Sequence, residues 1–114
     1  MATETSYAQY IKDQLKDAGR VEVNKMFGEY GVYLDGKFVA LLCDNVFYLK
    51  HLPEVVEHLT EVLEGQPYTG AKPWYVIEQT DDRVYLQHLV EVVYRILPEP
   101  KPKKEKKQVR KQVL

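Results

Sequence analysis

The stretch from residue 21 to residue 50 constrains the fold most, because its pattern predicts three or four consecutive β-strands joined by tight turns. Asp35-Gly36 lies between the apolar and aromatic runs YGVYL and KFVALL. A two-residue type I′ turn needs positive φ at both central residues, which Asp and Gly tolerate well. Asp44-Asn45 is a weaker copy of the same signal. The sequence therefore predicts an antiparallel meander.

Amphipathic segments flank this meander on both sides. Apolar residues at helical spacing predict one helix over residues 5–18 and a second over residues 53–65. A further strand is predicted over residues 74–78, followed by a third helix capped by Thr80 or Asp81. The apolar stripe of the second helix would be Val55, Val56, Leu59, Val62 and Leu63, and that of the third Tyr85, Leu86, Leu89, Val93, Ile96 and Leu97. We expect an α+β domain with three helices on an antiparallel sheet, in the order α, meander, α, β, α.

The two-residue turns also predict a register, because opposed residues of a hairpin share a face of the sheet. The predicted pairs are Leu34 with Lys37, Tyr33 with Phe38, Cys43 with Val46, and Leu42 with Phe47. One predicted face carries Gly31, Tyr33, Phe38, Ala40, Leu42, Phe47 and Leu49. The other carries Tyr30, Val32, Leu34, Val39, Leu41, Cys43, Val46 and Tyr48. This second face is too apolar to be left in water, so we expect one of the chain's helices, a second copy or a partner to cover it.

Charge is divided unevenly along the 114 residues. Residues 1–100 hold 9 Lys or Arg and 16 Asp or Glu, whereas residues 101–114 hold 7 basic residues and 1 acidic residue. Three prolines between residues 98 and 102 cannot continue a helix. We therefore expect one folded domain over residues 1–97 and a disordered Pro/Lys-rich basic tail over residues 98–114.

The basic tail offers contacts for nucleic acid. Its cations are Lys101, Lys103, Lys104, Lys106, Lys107, Arg110 and Lys111. Such runs bind phosphates by releasing counterions, and the binding would be weak and non-specific because no aromatic residue or base-reading helix accompanies them. The alternative is a tail that only keeps the protein soluble.

Several classes of protein are disfavoured by composition. A single cysteine excludes an internal disulfide and a multi-thiolate zinc site. No apolar run approaches the ~18 residues that a membrane span requires, and the first residues lack the pattern of a signal peptide. We expect a cytoplasmic protein without a membrane partner.

The sequence offers no catalytic or cofactor site by local spacing. Cys43 has no neighbouring base, so we favour a small buried hydrophobic residue over a nucleophile. The spacing of His51, His58 and His88 does not fit a metal site. We therefore expect no cofactor, no metal and no enzymatic activity.

Charged and glycine residues also have ordinary structural explanations. Gly28 and Gly31 lack the remaining residues of a phosphate loop and favour a bulge or a sharp turn. Lys37 is expected to face solvent beside its hairpin turn. Four carboxylates at helical spacing predict a solvated face that can also dock a basic partner or the chain's own tail; they are Glu54, Glu57, Glu61 and Glu64.

The loop before the last strand concentrates aromatic rings beside a cation. Tyr68, Lys72 and Trp74 fall within seven residues that also contain Gly70 and Pro73. Such a loop can form a ring-and-cation recognition site, or its rings can simply close the end of the core.

The string MFGEYGVYLDGK at residues 26–37, followed by FVAL and DNVFYLK, resembles the N-terminal domain of the TfoX/Sxy family, and the resemblance covers roughly residues 5–97. The motif positions are Met26, Phe27, Gly28, Tyr30, Gly31, Tyr33, Asp35 and Gly36. The resemblance implies an α+β domain similar in fold to type III secretion chaperones, with no assigned catalytic residues. Full-length members resemble a bacterial competence regulator that carries a helical C-terminal domain, and we expect the basic tail in its place here.

The sequence thus predicts a non-enzymatic regulatory domain that acts by protein interaction. The partner would be another protein, such as a transcription regulator, or a second copy in a homodimer. The alternative is an accessory protein that binds nucleic acid weakly through its tail.

Overall fold

The computed structural model describes residues 3–98 and shows an α+β fold built on one antiparallel sheet. In chain order its elements are α1 (Thr5–Leu15), β1 (Val21–Met26), β2 (Glu29–Leu34), β3 (Lys37–Cys43), β4 (Val46–Leu49), a 3-10 helix (Pro53–His58), β5 (Glu64–Gly65), β6 (Trp74–Ile77) and α2 (Arg83–Ile96). The six strands lie in the order β1-β2-β3-β4-β6-β5. The predicted fold class is confirmed, while the predicted tail lies outside the described residues except for Pro98.

Three hairpins with two-residue turns build the first four strands. Asp35 and Gly36 have φ values of 47° and 87°, and Asp44 and Asn45 have 52° and 60°. The four predicted residue pairs across these turns are present. A third turn of the same kind joins β1 to β2 at Phe27-Gly28. It confirms the sharp turn predicted at Gly28, whereas Gly31 lies within β2.

A β-bulge in β3 makes the predicted division of the two faces wrong. Val32 pairs with Ala40 and Tyr33 pairs with Phe38, so Val39 is an extra residue on β3. Side chains alternate between the two faces of a sheet along a strand. The extra residue therefore places Tyr33 and Phe38 on the face opposite Ala40 and Leu42, although pairing without a bulge would put all four on one face. The face that packs on the helices carries Tyr30, Val32, Leu34, Ala40, Leu42, Phe47, Leu49, Tyr75 and Ile77.

The predicted second helix is also wrong beyond His58. The chain forms a 3-10 helix over Pro53–His58 and then runs extended into β5. β-branched residues at 55, 56, 60 and 62 disfavour a helix, and the Leu63 carbonyl accepts a hydrogen bond from the Val76 amide at 2.8 Å. Pairing with β6 therefore replaces the last helical turns, and the carboxylates of residues 54–64 do not share one helical face.

The helices lie against one face of the sheet only. Ile11 and Leu15 of α1 and Leu86, Leu89 and Val93 of α2 are at most 1% exposed and belong to the same core as the strands. Asp82 caps α2, one or two residues later than the predicted cap, and its carboxylate accepts from the Tyr85 amide at 3.1 Å. Within residues 3–98, no helix combines the length and the apolar character needed to cross a bilayer.

Lys37 attaches the end of α2 to this sheet, so the prediction that it faces solvent is wrong. The residue is 7% exposed. Its Nζ donates to the Tyr94 carbonyl at 3.0 Å and to the Leu97 carbonyl at 2.8 Å, and it lies 4.1 Å from the centre of the Tyr94 ring. The last carbonyls of a helix have no partner within the helix. A cation at this end satisfies them and opposes the helix dipole.

Candidate functional site

The side of the sheet opposite the helices forms the candidate site, which we call the outer face. It consists of Met26, Tyr33, Phe38, Leu41, Cys43, Val46, Tyr48, Trp74 and Val76. None of these residues belongs to the core cluster around the helices. All except Leu41 and Cys43 are partly exposed to solvent. A contiguous apolar surface that stays partly exposed is typical of an interaction surface.

A row of aromatic rings crosses the outer face. The ring centres of Tyr33 and Phe38 are 5.2 Å apart, and Trp74 meets Phe38 edge-on at 5.8 Å. The Lys50 Nζ lies 5.1 Å from the centre of the Phe38 ring. These rings come from β2, β3 and β6, so the sheet itself positions them. The result is a rigid aromatic surface with one cation at its margin.

A groove of about 570 Å³ opens at one end of this surface. It is lined by Met26, Phe27, Glu29, Phe38, Leu41, Cys43, Tyr68 and Trp74. Its volume lies within the range of sites that bind small molecules or inserted side chains. The groove is mostly apolar, so it fits an apolar or aromatic group.

Phe27 at the rim of the groove is unusual in two respects. The residue is 102% exposed, and its φ of 50° lies in the left-handed region. A bulky residue rarely adopts this conformation, and an exposed ring gains nothing from the core in return. Backbone strain of this kind concentrates at functional sites. Neither core packing nor backbone geometry therefore favours a phenylalanine at position 27, which points to a role of its ring in recognition.

The loop predicted to join rings to a cation lies beside this groove. Tyr68, 62% exposed, lines the groove together with Trp74. Gln66 Nε2 donates to the Ala71 carbonyl at 2.8 Å and holds the loop closed. Lys72 is exposed and lies outside the residues that line the groove. The structure thus places Tyr68 and Trp74 at one groove, as predicted. The cation that contacts an aromatic ring is Lys50, over Phe38, and not Lys72 of the predicted loop.

Cys43 forms part of the floor of the groove. It is 3% exposed, and burial, with a smaller effect of the Glu29 carboxylate, raises the pKa of its thiol to about 11. A thiol with such a pKa is protonated at neutral pH and is a poor nucleophile. The Glu29 carboxylate is itself held by hydrogen bonds from the Thr3 amide at 3.0 Å and the Asp44 amide at 3.1 Å.

The three histidines lie away from the outer face. His51 pairs with Glu64, and His58 pairs with His88. His51 Nε2 is 2.9 Å from the Glu64 carboxylate, and its ring stacks on Tyr75 at 4.3 Å. His58 Nδ1 is 3.0 Å from His88 Nε2. Within the part of the chain that the structure describes, no three histidine, cysteine or acidic side chains come together in a way that would hold a metal ion.

Comparison with known proteins identifies the family. The model of the TfoX N-terminal domain matches residues 13–95. The chain belongs to the TfoX N-terminal domain family. A curated relative of this domain, described as an uncharacterized 12.7 kDa protein in the trpE 5′ region of Spirochaeta aurantia, is 41% identical over 107 residues, which span 93% of each chain. The resemblance noted in the sequence is thereby confirmed.

In this TfoX N-terminal domain, the motif residues occupy turns and the outer face, except for Tyr30, which packs in the core. Phe27-Gly28 and Asp35-Gly36 form two of the three hairpin turns. A side chain at Gly31 would bring its Cβ within 2.7 Å of the Met26 sulfur and 3.3 Å of the Phe38 ring. Glycine at this position therefore lets Met26 and Phe38 cover the strand.

Sequence reasoning missed Phe38 and Lys50 as members of the site, whereas Leu41 and Cys43 lay on the predicted second face that needs a cover. The available signal was the pairing of Tyr33 with Phe38, which places two aromatic rings on one face next to a turn. The bulge at Val39, which adds Leu41 and Cys43 to those rings, leaves no comparable trace in composition.

Proposed function

We propose that this TfoX N-terminal domain is a non-catalytic protein-interaction domain of bacterial regulation, and that its outer face docks an apolar or aromatic segment of a partner protein. The observation that carries the proposal is the fully exposed Phe27 beside an apolar groove of about 570 Å³. Anchors at protein interfaces are typically aromatic side chains and the pockets that receive them.

The contacts of the face support this function over catalysis. Cys43 brings a thiol into the lining of the groove, and the pKa of this thiol is raised rather than lowered. The carboxylate of Glu29 accepts hydrogen bonds that tie the N-terminal segment to the turn after β3. The polar groups at the groove therefore hold the fold, while the rings remain available for contact.

Substitution of Phe27 tests the proposal. Phe27→Asn removes the ring and inserts a residue that favours the left-handed turn, so the fold is retained. Val84→Asn is the matched control, because Val84 is 78% exposed on α2, away from the outer face. Tagged protein would be incubated with lysate of the native host, and captured proteins would be quantified by mass spectrometry after nuclease treatment. We expect Phe27→Asn to lose proteins that Val84→Asn retains; equal capture by both variants would refute the role of the face.

A second candidate function is weak nucleic-acid binding, which the seven basic side chains of residues 101–114 favour. Each phosphate neutralised on duplex DNA contributes about −0.9 to the slope of log affinity against log salt. The substitutions Lys103→Gln, Lys104→Gln, Lys106→Gln and Lys107→Gln in one chain remove four positive charges and should therefore flatten this slope in a mobility-shift titration. Retention of the full slope would exclude the tail as the binding segment.

A further inference from the structure

We infer that the chain's own segment after Pro98 docks on the outer face, with the apolar residues Val109, Val113 and Leu114 in the groove, so that a partner must displace it. This inference rests on the proposed role of the outer face as a docking surface. It adds the occupant that covers the face when no partner is bound.

The described chain ends at the margin of this face. The Leu97 carbonyl accepts from Lys37 Nζ at 2.8 Å, which fixes the end of α2 to β3. Leu97 and Pro98 line a shallow depression of about 330 Å³ together with Tyr33, Gly36, Lys37, Phe38 and Lys50. Phe38 also lines the larger groove. A chain that continues past Pro98 therefore starts on the aromatic row that leads to the groove.

The remaining chain is long enough to reach the groove. Val109 follows Pro98 by eleven residues, which span about 34 Å at the ~3.1 Å per residue of a proline-rich extended chain. The groove lies toward the far end of β3, and the seven residues of this strand extend about 20 Å. The reach thus exceeds the required path and leaves Val113 and Leu114 free to turn into the groove.

Charge favours the same contact. Residues 3–98 carry 15 acidic and 9 basic side chains, a net charge of −6, whereas residues 101–114 carry a net charge of +6. Glu22 lies opposite Tyr33 on β1 and Glu29 lines the groove, so two carboxylates border the surface. Lys37 and Lys50 line the depression beside Pro98, and the ammonium group of Lys37 already donates to two carbonyls of α2. A tether also raises the effective concentration of the segment to the millimolar range. A weak apolar contact is then sufficient to keep the face covered.

Quenching of the fluorescence of Trp74, the chain's single tryptophan, tests the inference in the full-length protein. Val109→Ser, Val113→Ser and Leu114→Ser in one chain keep the charge of the tail and remove its apolar groups. We expect this variant to show a higher acrylamide quenching constant and a red-shifted emission. Gln108→Ser and Gln112→Ser in one chain form the matched control, which should behave as the unsubstituted protein.

Salt provides the second measurement. The Debye length falls from about 10 Å at 0.1 M salt to about 3 Å at 1 M. Raising the salt concentration should therefore increase quenching of the unsubstituted protein more than quenching of a chain with Lys103→Gln, Lys104→Gln, Lys106→Gln and Lys107→Gln. Quenching that is identical in all variants and at all salt concentrations would overturn the inference.

The remaining occupants give different results. A second copy on the face would make quenching depend on protein concentration and would raise the mass in sedimentation equilibrium, which would overturn docking within one chain. Failure of the tail variants to change quenching, with capture of partners still lost in Phe27→Asn, would overturn this inference and leave the proposed function standing. A change in quenching without any effect of Phe27→Asn on capture would support docking of the segment and overturn the proposed capture of a partner by this face.

Discussion

The two faces of the sheet carry similarly apolar side chains but differ in how far these side chains are exposed to solvent. On the helix side, Phe47, Leu42 and Leu49 are fully buried. On the outer face, Phe38, Tyr48 and Trp74 keep part of their surface in water. Composition alone does not distinguish the faces, since both are rich in aromatic and aliphatic residues. The face that packs on the helices forms the hydrophobic core, whereas the outer face keeps apolar side chains partly in contact with water.

Leu41 and Leu42 give the sharpest test of this difference, because they are adjacent in β3 and point to opposite faces. Leu42 is 0% exposed and Leu41 is 8% exposed. We expect Leu42→Ala to lower the free energy of unfolding by about 3 kcal/mol and Leu41→Ala by roughly 1 kcal/mol, since the groove already gives Leu41 fewer neighbours to lose. Urea denaturation would measure both. Equal losses of unfolding free energy in the two variants would mean that side chains of the outer face are packed as tightly as those under the helices.

The second largest effect concerns the lysine that reaches from the sheet into the helix layer. Lys37→Met keeps the aliphatic stem but removes the donor to two carbonyls of α2. Hydrogen bonds from charged groups contribute about 1.5–3 kcal/mol, so we expect a loss of about 2 kcal/mol in urea denaturation. Lys50→Met is the control on the outer face and should change stability by less than about 0.5 kcal/mol. A similar loss in both variants would contradict the distinction.

The thiol on the floor of the groove should make the stability of the protein depend on pH. Burial raises the pKa of Cys43 from an ordinary value near 9.0 to about 11, so the unfolded chain releases this proton at lower pH than the folded chain. The stability that the protonated thiol contributes is complete below pH 9 and is lost as the pH rises toward 11. We expect an extra loss of about 1 kcal/mol between pH 8 and pH 10 in the unsubstituted protein compared with Cys43→Ala.

Urea denaturation at each pH would measure this difference in slope. The pKa of Tyr7, which burial raises to about 12, acts at higher pH and is common to both proteins. Parallel stability curves for the two proteins would show that Cys43 is accessible to solvent in the folded state.

The smallest effect has the opposite sign. Phe27 occupies a left-handed position with φ 50° and no burial. Asn followed by Gly is the preferred pair for a type I′ turn, so Phe27→Asn should raise the free energy of unfolding by about 0.5–1 kcal/mol. Thermal and urea denaturation would detect this gain. A loss of stability would mean that the ring supports the fold, and would weaken the assignment of Phe27 to recognition.

Local signals in the sequence predicted much of the fold, because turn chemistry acts over a few residues. Asp35-Gly36 and Asp44-Asn45 gave correct turns and four correct residue pairs. The features that were missed depend on contacts between distant residues. The Leu63 carbonyl finds its partner at Val76, which converts a predicted helix into an edge strand. Lys37 is buried because the end of α2 arrives beside it, 57 residues later in the chain.

The candidate site was predicted in part for the same reason. Tyr68 and Trp74 were selected as a pair from their proximity in sequence, and they do line one groove. Phe27 was selected only through the family motif, since nothing in its local sequence indicates that its ring is exposed. The outer face as a whole depends on the position of one bulge, which the pattern of apolar residues on either side does not reveal.

The bulge at Val39 also determines which changes in length the strand can accept. If β3 kept all its residues but paired without the bulge, Phe38 and its partner Tyr33 would lie on the same side as Ala40 and Leu42 and would compete with them for space in the interior. Loss of Val39 itself would instead join Phe38 to Ala40 and leave the pairs Tyr33–Phe38 and Val32–Ala40 on their present faces. Related sequences are therefore expected to accept the loss of this one residue more readily than the gain of another between Lys37 and Cys43.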